Sequence, residues 1–145
     1  MKIEYINSDK YIIYLNNYYY HFDKSTIEKT IDKVLKILKK KYNFDLYCIF
    51  NIDCYICGSY GIILVLKKEF DPFIKYSKKT NINIDFYDDN FLFEVDDYFI
   101  KDKIDCDIYK YKDKYYLDLK GNDYLPISEH INKIIFGNDT LKIKI

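Results

Sequence analysis

Residues 53–66 read DCYICGSYGIILVL, and the interpretation of this stretch decides the fold of the first half of the chain. It contains a Cys-x-x-Cys pair, Cys54 and Cys57, followed by glycine, a spelling found in zinc and thiol-redox sites. Strand-forming residues also flank Cys57-Gly58-Ser59 on both sides, which is typical of a β-hairpin with a tight turn. Because side chains alternate between the two faces of a strand, the hairpin predicts one apolar row. That row is Cys48, Phe50, Ile52, Cys54 and Ile56.

The metal and redox interpretations of the cysteine pair are both incomplete. A structural zinc site needs four ligands, and the remaining candidates, Cys106, His21 and His130, form no second pair. A thioredoxin-type site lies where a strand enters a helix, because the helix N-terminus lowers the pKa of the first thiol. Here a second strand follows. We therefore predict a hairpin in which the thiols are incidental and Cys57 begins the turn, with no metal and no other cofactor.

Composition and charge set the class of protein. The chain has 145 residues, 49% of them hydrophobic, with 23 basic and 23 acidic residues. These values are typical of a globular protein and disfavour disorder. A net charge of zero disfavours a general nucleic-acid or anionic-membrane binder, although a local basic patch is compatible with it. No run is long enough to span a membrane and no signal segment precedes the first strand, so we expect a cytoplasmic protein with reduced thiols.

Tyrosine is abundant and arginine is missing. The chain has 18 tyrosines and no arginine. Tyrosine rings stack on nucleic-acid bases, but tyrosine also has high strand propensity and fills half-buried sheet positions. We interpret most of the tyrosines as sheet residues. Lysine does not form the planar bidentate contacts that arginine makes with phosphate or carboxylate groups, which disfavours a specific phosphate site.

A strand pair and a long helix precede the central hairpin. Apolar residues on either side of Asn7-Ser8-Asp9 predict the strand pair. Ser25 and Glu28 have the spacing of a capping box at the start of a helical pattern. The apolar stripe of this amphipathic helix is Ile27, Ile31, Val34, Leu35, Leu38 and Tyr42. Its other face carries Lys29, Lys33, Lys36 and Lys40. These lysines are typical of a solvated face, with a nucleic-acid contact as the alternative.

The second half of the chain predicts two short helices, two hairpins and a last strand. Asp71 and Pro72 have the pattern of an N-cap and a first helical residue. The hairpins centre on Asp88-Asp89-Asn90 and on Lys112-Asp113. A second short helix with a glycine stop is predicted from Pro126, Ile127, Ile131, Ile134, Ile135 and Gly137. Residues 141–145, LKIKI, alternate as a last strand.

These elements predict an α+β fold in which antiparallel strand hairpins pack against one long amphipathic helix and two shorter helices. We expect two units that share one core. Residues 1–68 form a strand-strand-helix-strand-strand unit, and residues 69–145 contain a helix, antiparallel hairpins and a C-terminal helix. The boundary between the two units is expected at residues 67–72, where polar residues coincide with the start of a helix.

The sequence contains none of the common catalytic motifs. G-x-S-x-G, the P-loop, G-x-G-x-x-G and H-E-x-x-H do not occur, and the two histidines lie far apart in the chain. Clusters of aspartate near residues 88, 96 and 105 lack the spacing of an EF-hand and are typical of turns. We therefore predict that the protein is not an enzyme.

The order of elements resembles that of the MecA family of adaptor proteins. The chain opens with MKIE, and its helix is followed by YNFDLYCIFNID at residues 42–53 and YGIILVLKK at residues 60–68. These segments are similar to the N-terminal domain of that family. Residues 107–119, DIYKYKDKYYLDL, are similar to the tyrosine-rich hairpin of its C-terminal domain, which engages a Clp-type AAA+ unfoldase. The long acidic linker between the two domains of the family has no counterpart here.

The resemblance implies a non-catalytic adaptor or regulatory module that binds proteins, with a Clp-type unfoldase as one partner. The partner-binding residues that it implies are Tyr109, Tyr111, Lys112, Asp113, Tyr115 and Tyr116. Strand alternation predicts that Tyr109, Tyr111 and Tyr115 are only partly buried as a set. The alternative, based on the lysine face of the helix, is a small α+β nucleic-acid-binding protein or a phage- or virus-encoded accessory protein. Salt dependence separates the two, because phosphate binding weakens steeply as salt rises.

Overall fold

The computed structural model describes residues 1–16, 26–88, 91–96, 106–120, 122 and 124–144. In these residues the protein is a mixed α+β structure with two sheets of mostly antiparallel strands and three α-helices, which confirms the predicted class. The strands are β1 (Lys2–Asn7), β2 (Lys10–Asn16), β3 (Ile49–Cys57), β4 (Gly61–Glu69), β5 (Asn81–Asp88), β6 (Leu92–Val95), β7 (Asp107–Tyr111), β8 (Lys114–Asp118) and β9 (Ile131–Ile135). The helices are α1 (Ile27–Tyr42), α2 (Pro72–Tyr76) and α3 (Asp139–Lys144), and a 3₁₀ helix spans Leu125–His130. None of the described helices is long and apolar enough to cross a membrane.

The first sheet has five strands in the order β1-β2-β4-β3-β5. Its first hairpin is the predicted strand pair, β1 and β2, which run antiparallel. The turn between them is held by the side-chain oxygen of Asn7, which accepts a hydrogen bond from the backbone N–H of Asp9 at 2.8 Å. This is the Asx-type turn that asparagine favours, and it confirms the prediction.

The central hairpin of the first sheet is formed by β3 and β4. The two strands pair antiparallel from Ile49 opposite Glu69 to Cys57 opposite Gly61, so the predicted hairpin is confirmed. The expected apolar row is confirmed as well, because four of its five members are buried in one core cluster beneath α1 and Ile56 packs against that cluster. The cysteines of the row pack there as small apolar residues.

Helix α1 lies over this face of the sheet. Its buried residues are Ile27, Ile31, Val34, Leu35 and Leu38, while Tyr42 is only partly buried. The N-cap is Thr26, which makes no side-chain capping bond, so the helix begins one residue later than the predicted capping box implies. The predicted cap, Ser25, lies outside the described residues. At the other end Asn43 has a left-handed φ of 53°, the conformation that asparagine tolerates at a helix C-terminus.

Helix α2 follows β4 and matches the predicted short helix. Asp71 is its N-cap and accepts hydrogen bonds from the backbone N–H groups of Phe73 at 2.8 Å and Ile74 at 3.3 Å. Pro72 is the first helical residue, where its missing N–H costs nothing. The helix turns the chain back toward the start of the next strand.

Strand β5 corrects the prediction of a hairpin around Asp88-Asp89-Asn90. Instead of pairing with β6, β5 joins the edge of the first sheet and runs parallel to β3, while β6 belongs to the second sheet. Strand β4 returns the chain to the end of the sheet where β3 starts, and the connection through α2 crosses from β4 to β5 at that end, so that β3 and β5 are joined by the long crossover that a parallel pair requires. Ile82 and Ile84 thereby reach the core cluster under α1. Residues 89 and 90 lie outside the described residues.

The second sheet has four antiparallel strands in the order β7-β8-β6-β9. Its outer hairpin, β7 and β8, is the one predicted around Lys112-Asp113. Strand β6 is buried along its whole length and has β8 on one side and β9 on the other. Its buried backbone groups therefore find partners on both sides, as buried N–H and C=O groups require.

The C-terminal region differs from the prediction in two places. The helix expected from residue 126 to Gly137 is a 3₁₀ helix followed by β9, and the strand expected at residues 141–145 is helix α3 up to Lys144. The isoleucine spacing fits a helix. However, the buried strand β6 needs a hydrogen-bonding partner on its second side, and residues 131–135 pair with it there as β9. Gly137 has a left-handed φ of 66° and separates β9 from α3, so a glycine break does occur there.

The two sheets share a core cluster. Tyr14 and Ile63 of the first sheet pack in the same buried cluster as Phe93 and Leu117 of the second, together with Phe91, which immediately precedes β6. The first sheet therefore buries one face under α1 and the other against the second sheet. Burial of both faces accounts for the nearly continuous apolar run of β4, because a strand covered on both sides does not alternate with polar residues.

Candidate functional site

The predicted partner-binding residues lie on the β7–β8 hairpin at the edge of the second sheet. Lys112 and Asp113 form its two-residue turn, with φ values of 49° and 63°. Positive φ at both turn positions is the geometry that matches the twist of the two strands. The turn places Tyr111 opposite Lys114 and Tyr109 opposite Tyr116. Both turn residues are exposed.

The tyrosines of the hairpin divide between the two faces of the sheet. Tyr109, Tyr111 and Tyr116 lie on the face that α3 covers, where they pack with Ile143 of α3. Tyr115 lies on the opposite face and packs against the core cluster that the two sheets share. Tyr116 is buried, and the other three rings are half-buried. The hairpin therefore has two distinct tyrosine surfaces, joined at the charged turn.

Ion pairs fix the α3-side face of the hairpin. The Lys114 ammonium lies 3.1 Å from the buried Glu94 carboxylate of β6, and this hydrogen bond and charge raise the pKa of Lys114. Burial raises the pKa of Tyr116, and the nearby Glu94 adds to the effect, so the Tyr116 hydroxyl stays protonated at neutral pH. On the next row Lys144 of α3 binds Asp118 at 3.2 Å. These pairs hold α3 and β6 against the hairpin.

Strand β7 is the outermost strand of the second sheet. Among the described residues it pairs only with β8, so its other side presents backbone N–H and C=O groups. An edge strand of this kind can accept an additional strand from another chain. The side chains that border this edge are the half-buried rings of Tyr109 and Tyr111 and the exposed Lys110 between them. The Lys112 ammonium lies 5.3 Å from the centre of the Tyr111 ring.

Chemically, this edge offers backbone hydrogen bonds, ring faces, phenolic hydroxyls and ammonium groups. All of these are suited to binding an extended peptide. His130 is exposed at the end of the 3₁₀ helix, away from the hairpin turn in sequence, and His21 lies outside the described residues. Neither histidine is placed among the hairpin residues that the structure describes.

Two carboxylates lie beneath the hairpin that the sequence did not indicate. Glu94 and Asp118 are both buried and paired with lysine, yet neither was predicted as a site residue. Strand alternation in FLFEV, at residues 91–95, separates Glu94 from Phe93 and would have placed it on the other face. Nothing in the sequence indicates that Lys144 reaches Asp118, because α3 was expected to be a strand.

The Cys54–Cys57 pair is not arranged as a metal half-site. Cys54 lies in the cluster under α1, whereas Cys57 lies in the cluster between the two sheets. The Cys57 thiol is 3.0 Å from the Ser59 hydroxyl. Burial raises the pKa of the Cys48 thiol, which disfavours the thiolate that binds metals. Within the described residues there is no group of three or more His, Cys, Asp or Glu side chains that could hold a metal ion.

We expect the purified protein to carry no stoichiometric zinc and to melt at the same temperature with and without a chelator. The physical reason is that two thiols on opposite faces of one sheet cannot bind the same ion. Elemental analysis together with thermal melts in EDTA measures both quantities. About one equivalent of zinc, combined with unfolding on chelation, would contradict the expectation, because structural zinc stabilises the fold directly.

Comparison of the chain with protein-family models, with curated proteins and with solved structures finds no match. The resemblance to MecA adaptors therefore remains a prediction from sequence.

Proposed function

We propose that the protein is a non-catalytic adaptor or regulatory module of the cytoplasm that binds other proteins through the β7–β8 hairpin. Within this proposal a Clp-type AAA+ unfoldase is the first partner to test. The observation that supports it best is that the predicted tyrosine hairpin forms the outer edge of a sheet. Tyrosine is enriched at protein interfaces, because its ring gives apolar contact area and its hydroxyl finds a partner.

The proposed binding mode is strand addition. An extended segment of the partner pairs with β7, whose outer backbone groups provide the hydrogen bonds that give affinity. The rings of Tyr109 and Tyr111 and the ammonium of Lys110 then contact alternate side chains of that segment. The exposed turn, Lys112 and Asp113, contacts the rim of the partner. Rigidity comes from the Lys114–Glu94 pair, which holds the hairpin to the buried strand β6.

Single substitutions of Tyr111 and Tyr115 by alanine test this proposal. We expect Tyr111→Ala to weaken capture of the partner about tenfold, the loss typical of an interface anchor. Tyr115→Ala reports on the opposite face of the hairpin. Tyr47→Ala is the matched control, because Tyr47 is also partly exposed but lies before β3. The measurement is binding of a purified Clp-type unfoldase, together with a pull-down from host lysate identified by mass spectrometry.

The variants must first be shown to melt as the unmodified protein does. Full retention of binding by both folded hairpin variants would contradict the proposed interface. Equal losses in the hairpin variants and in Tyr47→Ala would contradict it too. Capture that falls by orders of magnitude as salt rises from about 50 mM to about 200 mM would instead indicate phosphate contacts and a nucleic-acid ligand.

A further inference from the structure

One end of the five-stranded sheet concentrates aromatic rings and lysines. The β1–β2 turn, the C-terminus of α1, the start of β3 and helix α2 all meet at this end, as the pairing of Lys10 with Lys67 and of Ile49 with Glu69 shows. We call this surface the aromatic end and define it by Tyr5, Tyr42, Phe44, Phe70, Phe73 and Tyr76. It lies on the first sheet, whereas the β7–β8 hairpin lies on the second.

The first part of the aromatic end is an open cleft of about 540 Å³. Its walls include four aromatic rings that contact one another in a chain. Tyr5 and Tyr42 are stacked, with centroids 5.5 Å apart and planes 22° from parallel, and Tyr11 lies 5.1 Å from Tyr42. Phe44 lies 5.6 Å from Tyr11. The Lys68 ammonium stands 4.4 Å from the centre of the Phe44 ring, so a cation borders the ring surface.

The second part is helix α2, whose aromatic side chains stand in solvent. Phe70, Phe73 and Tyr76 are 67%, 83% and 91% exposed. Phe73 and Tyr76 are three positions apart and so lie along one side of the short helix, whereas Phe70 lies in the segment just before the helix. No residue of α2 is buried. Large aromatic surface left in water in this way marks an interaction site rather than a packing element.

The two parts are adjacent. The Lys75 ammonium of α2 lies 3.7 Å from the carboxylate of Asp45, which lines the cleft, and 5.7 Å from the centre of the Phe70 ring. A single lysine therefore contacts both the rim of the cleft and the exposed rings. A ligand that occupies the cleft next to Phe44 can continue onto α2 without leaving the surface.

The charge of this end is positive although the whole chain is neutral. Residues 67–80 contain five lysines and two carboxylates, Glu69 and Asp71, a difference of three positive charges. Both carboxylates are occupied, because Asp71 caps α2 and Glu69 accepts a hydrogen bond from Asn51 at 3.3 Å. Within the described part of the chain, Lys67, Lys78 and Lys79 have no ion-pair partner. These ammonium groups favour an anionic ligand.

We propose that the aromatic end binds single-stranded nucleic acid. Bases stack on the exposed rings of α2 and on Tyr5, which is 53% exposed at the cleft, and the backbone phosphates lie against the surrounding lysines, which is the combination that single-strand-binding surfaces use. A duplex does not fit this chemistry, because its base faces are already stacked. Without arginine, the surface lacks the best side chain for reading guanine edges, so binding is tolerant of sequence.

The shape of the surface distinguishes nucleic acid from an anionic membrane. Exposed aromatic residues with lysines also occur at membrane surfaces. However, a helix that lies on a membrane presents a long apolar face, whereas α2 has only five residues. A nucleotide chain can place successive bases on separate rings, such as those of Phe73 and Tyr76 on α2 and Tyr5 at the cleft. The short helix and the separate rings therefore favour a nucleotide chain over a lipid surface.

The test uses the full chain and a fluorescent oligothymidylate of about 15 nucleotides, within the usual range of single-strand sites. Anisotropy should detect saturable binding, with a much weaker signal for a duplex of the same length. Affinity should fall as salt rises from about 50 mM to about 200 mM, because phosphate contacts release counterions.

Phe73→Ala and Tyr76→Ala should each weaken binding about tenfold, the loss expected for one stacked base. Replacing Lys78 and Lys79 together by alanine should reduce the salt dependence.

Leu141→Ala and Lys142→Ala are the matched controls, since these exposed residues lie on α3 and should leave binding unchanged. Because all the substituted side chains are exposed, the folds should melt alike. The proposal is overturned if the oligonucleotide does not bind, or if the control variants lose as much affinity as the α2 variants. Binding to vesicles that contain anionic phosphatidylserine, without binding to the oligonucleotide, would overturn it in favour of a membrane surface.

Discussion

Replacing Leu35 by alanine is expected to lower the free energy of unfolding by about 2 to 5 kcal/mol, as large-to-small changes in a core do. Leu35 is 3% exposed and packs in the cluster between α1 and the five-stranded sheet. Removing its isopropyl group leaves a cavity against β3 and β4, which pair with each other and do not move easily. Urea denaturation followed by far-ultraviolet circular dichroism measures the loss.

The neighbouring residue provides the control. Lys36 is exposed on the opposite side of α1, so Lys36→Ala should change stability by less than about 0.5 kcal/mol, since alanine is also a good helix former. Equal effects of the two substitutions would show that α1 does not bury the face seen in the structure. A large loss of stability for Leu35→Ala alone would agree with burial of the face that carries Leu35.

Replacing Phe93 by alanine is expected to cost about 3 to 5 kcal/mol, the usual range for a buried phenylalanine. Phe93 is fully buried on β6, in the cluster that the two sheets share. Its ring centroid lies 5.2 Å from that of Tyr124 and 6.4 Å from that of Tyr60. The substitution therefore removes contacts between the sheets as well as within one of them. Phe73→Ala, at an exposed ring of α2, is the control and should cost little.

The Phe93 variant also tests how the two sheets are coupled. Because Tyr14 and Ile63 of the first sheet belong to the same cluster, we expect both sheets to unfold in one transition in Leu35→Ala and in Phe93→Ala. Calorimetry compared with circular dichroism can show whether the transition is two-state. A separate low-temperature transition in Phe93→Ala would mean that the four-stranded sheet unfolds independently of the first sheet.

The parts of the fold that follow from the sequence are those fixed by local chemistry. Asn7 and Asp9, Gly58, and Lys112 with Asp113 mark turns whose strands follow immediately, and all three hairpins form. Asp71 and Pro72 fix the start of α2 in the same way. In each case the interactions that decide the structure lie within a few residues of one another.

The predictions that are wrong concern elements whose structure depends on pairing with residues far away in the sequence. The parallel pairing of β5 with β3 depends on an open side of β3 some 30 residues earlier in the chain, and no pattern in NINIDFYD, residues 81–88, indicates it. Likewise, Ile131, Ile134 and Ile135 fit a helical spacing, but the buried strand β6 needed a second neighbour. Apolar spacing over so few residues does not separate a strand from a helix.

The candidate site could be predicted only in part. Residues 107–119 indicated the hairpin, and alternation indicated that its rings would be unequal in burial. The division of Tyr115 from Tyr109 and Tyr111 by the sheet also follows from alternation. What could not be predicted is the cover that α3 gives to Tyr109 and Tyr111, together with the Lys144–Asp118 pair, because these contacts depend on the C-terminal helix.

The two outer strands of the five-stranded sheet, β1 and β5, also affect how readily copies of the chain associate through this sheet. Strand β5 places Asp85 directly beside Asp53 of β3, and a second copy stacking onto β5 would bring further carboxylates next to this pair. At the other side, the pairing of β1 is irregular between Tyr5 and Asn7. This irregularity makes β1 a poor edge for pairing with a straight strand of another copy. Charges and irregularities of this kind hinder one molecule from extending the sheet of another. Both outer strands of this sheet thus have features that hinder fibril growth by pairing with another copy of the chain.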